Sequence, residues 1–255
     1  MAVTREISAA IQQCELTHLT RTPIDLERAR AQHSAYEWAL VDAGCTVRRL
    51  DTTDALPDSV FVEDIAVVCH ELAILTRPGA ETRRAETAGV AAWLGNMRPL
   101  RSIEAPATLD GGDVLIVGKH VFVGLSARTN RAAATQMRRL LAPLGYTVEV
   151  VKVTGCLHLK SAVTAVSADT LLINPAWVSP DAFGGLELID VDPHEPYAAN
   201  AVALPDRVIY PISFPRTRTR LEAHGIDVRT VDMDELAKAE GAVTCCSLIF
   251  ELWRS

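Results

Sequence analysis

The chain of 255 residues carries 25 Lys and Arg against 32 Asp and Glu, a formal charge of −7, with 49 % hydrophobic and 22 % charged residues. That composition excludes a disordered chain, and the acidic balance argues against a general nucleic-acid binder, which needs basic patches to displace counterions. No apolar run reaches the roughly 18 residues of a membrane span, and no basic region leads into an apolar stretch at the start, so neither a membrane segment nor a secretory signal is expected.

In chain order, Asp25 is placed to N-cap a helix with amphipathic spacing over 26–41. Asp58-Ser59-Val60-Phe61-Val62-Glu63-Asp64 then sets three carboxylates around one apolar strand. From Asp64, the apolar run 65–69 is separated by His70-Glu71 from a second run, 72–75, and a loop bearing arginines follows over 76–84. Helical spacing returns over 86–94. Asp113 opens the same pattern, with runs 114–117 and 120–124 around Gly118-Lys119. The loop Ser126-Ala127-Arg128-Thr129-Asn130 and a helix over 130–144, ending before Gly145, come next. Ser161 opens runs 162–166 and 170–173, Asn200 opens 201–204 and 207–210, and Cys245 precedes a last strand, 246–250.

Each pair of short apolar runs reads as a β-hairpin. The openings at 64, 113, 161, 200 and 245 are 49, 48, 39 and 45 residues apart. A hairpin and helix repeated about five times predicts a radial array closed around an axis. Its first strands would lie innermost, with Asp64, Asp113, Ser161, Asn200 and Cys245 pointing into a shared channel. The alternative is an ordinary α/β sheet; polar residues recurring at one phase favour the array. With no linker in the sequence, residues 1–255 are expected to form a single domain.

Six cysteines without a C-x-x-C pair read as reduced thiols of a cytoplasmic protein, with no structural zinc site expected. A lone strand cysteine usually belongs to a core. Cys245, however, shares the phase of the channel residues, and His158, in Cys156-Leu157-His158-Leu159-Lys160, lies on the approach to another inner strand. A cysteine with a remote histidine is the minimal pair for covalent catalysis. Cys246, adjacent on a strand, would face the other way. Asp110, in Thr108-Leu109-Asp110-Gly111-Gly112-Asp113, supplies a carboxylate that can orient the histidine, and the two glycines permit close backbone approach. The three acids at 58–64 suit a guanidinium or ammonium group. Arg83 and Arg128 sit in outer loops. Acids inside and arginines at the rim fit a zwitterion with a cationic side chain.

These motifs together resemble the dimethylarginine dimethylaminohydrolases. The resemblance rests on Pro57-Asp58-Ser59-Val60-Phe61-Val62-Glu63-Asp64, Thr76-Arg77-Pro78-Gly79-Ala80, Thr108-Leu109-Asp110-Gly111-Gly112-Asp113 and Ser126-Ala127-Arg128-Thr129-Asn130. Leu157-His158-Leu159-Lys160, Tyr197-Ala198-Ala199-Asn200 and Thr244-Cys245-Cys246-Ser247 continue it in the family's order. It implies a five-bladed α/β propeller, the pentein fold, and hydrolysis of methylated arginine to citrulline without metal or organic cofactor. Under it, Cys245 is the nucleophile, His158 the general acid and base, and Asp110 the group that orients it. Asp58, Glu63 and Asp64 would hold the guanidinium, and Arg83 and Arg128 the α-carboxylate. Leu16 would be a lid residue over the substrate, and the Ala239 carbonyl would take the α-amino group. Glu240 stands where the family usually has Asp, and the lid segment 12–22 is only weakly similar. A homodimer is compatible with the resemblance, and the partner expected is a small methylated arginine.

Arginine deiminases are the nearest rivals, but they usually carry an acid two residues after the histidine, where this chain has Lys160, and they are longer. Amidinotransferases are longer too. A silent binding propeller would have no need to keep Cys245, His158 and Asp110 together.

Overall fold

The computed structural model describes residues 1–53 and 55–252. Five three-stranded sheets make up the fold. In chain order the strands are β1 (Ala2–Arg5), β2 (Val47–Leu50), β3 (Ala66–Val68), β4 (Ala73–Leu75), β5 (Leu100–Ser102), β6 (Val114–Val117), β7 (His120–Leu125) and β8 (Thr147–Lys152). They continue as β9 (Val163–Ala165), β10 (Thr170–Ile173), β11 (Glu187–Asp190), β12 (Val202–Leu204), β13 (Arg207–Pro211), β14 (Val228–Val231) and β15 (Leu248–Ile249).

Four sheets have one plan. An antiparallel hairpin, such as β3–β4, is followed by a third strand parallel to the second, such as β5. Parallel neighbours need a crossover, and helices usually supply it. Here α2 (Thr87–Gly95) joins β4 to β5, α3 (Arg131–Leu141) joins β7 to β8, and α5 (Pro215–Ala223) joins β13 to β14. The fifth sheet is assembled from both chain ends. β1 pairs parallel to β2 across α1 (Leu26–Asp42) and antiparallel to β15. The first strands of neighbouring sheets touch, β15 against β3, β6 against β9, and β9 against β12. They surround an axial cavity of about 250 Å³ lined by residues of β3, β6, β9, β12 and β15. This is the expected five-bladed α/β propeller.

The predicted helix signals act as read. The Asp25 carboxylate accepts the Arg28 N–H, Asn130 accepts that of Ala133, and Gly145 takes the left-handed conformation beyond α3, at φ 81°. The third strand of each blade was not anticipated. Of these, β2, β5 and β11 carry exposed polar residues.

The expectation of one shared channel needs correction. The inner strands do not begin at the polar residue; helical turns over Val62–Ile65, Gly111–Asp113 and α4 (Leu159–Ala162) precede three of them. A helical turn rotates successive side chains by about 100–120°, not the 180° of a strand, so the strand phase does not carry back. Asp64 and Cys245 line the candidate site, Ser161 and Asn200 line a neighbouring cavity, and Asp113 is fully buried. The predicted strand 246–250 shortens to β15 for the same reason, so Cys245 and Cys246 lie in a turn.

Candidate active site

Cys245, His158, Asp64, Asp58, Arg83, Arg128, Ala239 and Glu240 line one small pocket. The His158 Nε2 lies 3.0 Å from Asp110 Oδ2, and its Nδ1 lies 3.8 Å from Asp64 Oδ1. His158 ends the segment leading into α4 and has its ring buried. Asp110 is fully buried, and its second oxygen accepts the Gly79 N–H at 2.8 Å. The glycine pair after Asp110 makes this contact possible. A Cβ at Gly112 would lie 2.7 Å from His158 Nδ1, and one at Gly111 would lie 2.0 Å from the Glu63 carbonyl oxygen. Any side chain at either position would collide with the site's framework.

Burial alone would make His158 harder to protonate. Asp64, Asp110 and Asp113 overcome that, and its pKa rises to about 9. The imidazole is therefore cationic at neutral pH. The Cys245 thiol is pushed well up by burial first, then by the negative charges of Glu63 and Asp64. Both causes favour the protonated sulfur. Cys246 does not line the pocket; its sulfur faces the Ala242 carbonyl at 3.6 Å. Only one of the pair faces the site, as expected, but because of a turn rather than strand alternation.

Arg83 departs from expectation. It is not at the rim but buried, paired with Asp64 at 2.5 Å and Glu86 at 2.9 Å, and it donates to the Phe61 carbonyl at 3.0 Å. Its alanine variant would leave two buried carboxylates uncompensated, a loss of about 3–5 kcal/mol. Arg128 is freer. Its guanidinium donates to the Thr17 hydroxyl at 3.0 Å and lies 3.9 Å from Asp110.

The segment after Cys14 covers the pocket. The Glu15 N–H donates to both Asp58 oxygens, at 3.1 and 3.2 Å. Burial raises Asp58 to about 6, against the pull of Arg83 and of that N–H. Leu16 is half-buried and packs against the core beneath, and Glu15 beside it lines the pocket. The Glu240 carboxylate accepts N–H groups of three consecutive lid residues, Thr17 at 3.0 Å, His18 at 2.5 Å and Leu19 at 2.6 Å. Glu240 has a left-handed backbone, φ 59°, uncommon for a non-glycine residue. The enclosed space is about 20 Å³, so the lid must open to admit an amino acid. Charge-assisted hydrogen bonds contribute about 1.5–3 kcal/mol each. Glu240→Ala is expected to speed amide exchange at Thr17, His18 and Leu19 by at least about tenfold, read by hydrogen-exchange mass spectrometry.

Glu63 lies on the channel side. Lys160 Nζ pairs with it at 2.6 Å and the Thr244 hydroxyl donates to it at 2.8 Å. Asn200 joins the Lys160 carbonyl at 2.8 Å to the Thr244 hydroxyl at 3.0 Å. Lys160, Thr244, Asn200 and Glu15 were not read as site residues from the sequence. Their partners lie far away in the chain, and only the position of Lys160 relative to His158 gave a hint.

Ligand atoms of Asp64, Asp110 and His158 lie within 4.8 Å of one another, close enough to hold a metal. His158 is a proton-bearing cation there, and Asp64 is already engaged by Arg83 and by the Gly112 N–H at 3.0 Å.

The pattern of the eukaryotic N,N dimethylarginine dimethylhydrolase family matches residues 4–180. A Pseudomonas aeruginosa N(G),N(G)-dimethylarginine dimethylaminohydrolase is 39 % identical over 228 residues, 89 % of this chain and 90 % of that one. The chain belongs to the dimethylarginine dimethylaminohydrolase family. A solved Pseudomonas aeruginosa dimethylarginine dimethylaminohydrolase, a cysteine-to-serine variant complexed with citrulline, superposes with a TM-score of 0.93 at 36 % identity, covering 98 % of both chains. A second solved dimethylarginine dimethylaminohydrolase, a histidine-to-glycine variant held as an adduct with S-methyl-L-thiocitrulline, gives 0.92 at 36 % identity, again covering 98 % of both. The dimethylarginine dimethylaminohydrolase fold thus covers essentially the whole of this chain. No helix among the described residues is long and apolar enough to cross a membrane.

Proposed function

We propose that this protein hydrolyses Nω,Nω-dimethyl-L-arginine and Nω-methyl-L-arginine to L-citrulline, releasing dimethylamine or methylamine. The observation that carries the reading is a buried imidazole, His158, held between Asp110 and Asp64 in the same pocket as a buried thiol, Cys245. The citrulline and S-methyl-L-thiocitrulline found in its relatives support the same substrate class.

The guanidinium carbon is electrophilic but resonance-stabilised, so water attacks it slowly. A cation bound against Asp64 and Asp58 offsets the negative field, to which Glu63 adds from the channel side, that keeps the Cys245 proton in place. The Cys245 proton passes to solvent, since the imidazolium already carries one, and the thiolate so formed attacks the guanidinium carbon. His158 gives its proton to the departing dimethylamine as the C–N bond breaks, leaving a thiouronium on Cys245. The neutral imidazole then takes a proton from water, whose oxygen attacks the same carbon. The C–S bond breaks and citrulline leaves. Side chains and water suffice for every step, and no cofactor is invoked.

Arg128 takes the substrate carboxylate, replacing Thr17, while Arg83 mainly holds Asp64 in place. Leu16 and the Ala239 carbonyl close over the α-amino end. Lys160 occupies the place where a deiminase would set a carboxylate against the free guanidinium end. We read residues 1–255 as one catalytic domain acting in the cytoplasm. Six free cysteines fit a reducing compartment.

Purified protein is expected to release citrulline from dimethyl- and monomethylarginine and little from arginine. Release from arginine alone would make it a deiminase, and release from none would end the reading. Arg128→Ala is expected to raise KM about 10- to 100-fold with a smaller change in kcat, the cost of one charge-assisted carboxylate contact. Unchanged steady-state kinetics would remove Arg128 from the carboxylate site.

A further inference from the structure

One buried carboxylate enters the chemistry above only through its charge, which helps to raise His158. Asp113 is fully buried and lines neither the catalytic pocket nor the axial cavity. Both its oxygens are in use. Oδ1 accepts the Leu159 N–H at 2.9 Å, and Oδ2 accepts the Ser126 hydroxyl at 2.6 Å.

The two donors belong to different halves of the site. Leu159 follows His158 directly and opens α4, whose N-cap residue, His158, makes no side-chain cap. Asp113 supplies that missing cap from another blade. Ser126 in turn accepts the N–H of Arg128 at 3.0 Å and of Thr129 at 3.2 Å. The Thr129 hydroxyl accepts the Asp110 N–H at 3.1 Å, and Asp110 meets His158. A closed ring of hydrogen bonds therefore runs from His158 through Asp110, Thr129, Ser126 and Asp113 back to Leu159. Gly124 lets β7 approach this ring, because a Cβ there would lie 2.8 Å from Asp113 Oδ1 and 2.8 Å from the Leu159 Cβ.

We infer that Asp113 is a positioning residue that fixes His158 relative to Arg128, tying the proton-transfer group to the group that grips the substrate carboxylate. The inference rests on the roles proposed above for those two residues. A carboxylate is required because both donors point at it. The amide of Asn presents its oxygen to one donor position and its NH2 to the other, where it meets either the Leu159 N–H, itself a donor, or the Ser126 oxygen, which already receives two N–H groups. The ring would then open on one side.

Two variants separate the links. Ser126→Ala cuts the arm to Arg128 and leaves the Leu159 cap intact. It is expected to raise KM about three- to tenfold with kcat within about twofold. Asp113→Asn disturbs both arms and is expected to lower kcat about tenfold and to raise KM by a similar factor, since small misplacements of reacting groups are costly. In the double variant the KM effect should not exceed that of Asp113→Asn alone, because the two residues act on Arg128 through one path. Asp113→Asn lowering kcat with KM unchanged would overturn the coupling, as would normal kinetics in both variants. Amide exchange tests the link without substrate. Asp113→Asn is expected to speed exchange at Leu159, Arg128 and Thr129 together, Ser126→Ala at Arg128 and Thr129 only. Arg128 and Thr129 exchanging in Asp113→Asn as in the unaltered chain would overturn it. If Asp113→Asn does not fold, Ser126→Ala decides alone, and unmoved exchange at Arg128 and Thr129 there refutes the link. Failure of the unaltered chain to release citrulline would be a failure of the functional reading, seen in the same assay and independent of the exchange data.

Discussion

Cys245→Ser is expected to slow citrulline release by at least about 10⁴-fold while leaving the fold intact. Serine is nearly isosteric, so the turn before β15 has no reason to move. The loss is chemical. A bound guanidinium cancels the field of Glu63 and Asp64 at this position and thereby frees a thiolate, but a hydroxyl ionises far too high for the same cancellation to yield an alkoxide. The control is Cys246→Ser. Cys246 is fully buried yet faces the Ala242 carbonyl, which a hydroxyl can also reach, so its variant should keep near-normal turnover. Steady-state citrulline assays and mass spectrometry after thiol alkylation check both. Normal turnover in Cys245→Ser would end the covalent mechanism. Loss of all labelling in Cys246→Ser would mean that the wrong cysteine carries it.

His158→Gly is expected to lower turnover of dimethylarginine by about 10³- to 10⁴-fold, the range of a lost general acid and base. Dimethylamine cannot leave without a proton, so the first half-reaction stalls. S-methyl-L-thiocitrulline offers a thiol leaving group that needs no such help. This variant should therefore still form a covalent adduct with it on Cys245, visible as a mass increase, and should hydrolyse that adduct slowly because the base for the second half is also gone. Rapid hydrolysis would assign the water-activating role to another group. An absent adduct would mean that His158 also governs attack by sulfur. The charge of the imidazole in the resting enzyme points the same way, since a pKa near 9 makes it a proton donor before it is ever a base.

The sequence made the repeat legible because the inner two strands of four blades are apolar runs separated by a short polar step, such as Val114–Val117 and His120–Leu125. The third strands escaped because they are half-exposed and interrupted by charge, as in Val47–Leu50, where two central arginines face solvent. Cys245, His158 and Asp110 were readable from local motifs, and the geometry brings them together. Long-range pairing was not. Nothing near Glu240 in the chain marks the lid amides it holds, and nothing near Glu63 marks Lys160 as its partner. Arg83 looked like a rim residue because it sits in a loop, yet the loop folds inward on Asp64 and Glu86.

The fifth sheet has a consequence for how an active molecule comes into being. Four blades pair strands that are near neighbours in the chain and can form as the polypeptide emerges. The remaining one joins Ala2 to Ile249 and Val3 to Leu248, contacts whose closure spans nearly the whole molecule and is correspondingly slow to find. Cys245 sits just ahead of that final strand. A growing or half-folded chain can hold Asp110 beside His158 and still have no sulfur in register, and its loose thiol then behaves like any other, with a pKa of about 8.5 and open to oxidants. Closing the ring raises that pKa and buries the sulfur, so the pairing of the two chain ends protects the nucleophile until a bound cation favours its thiolate.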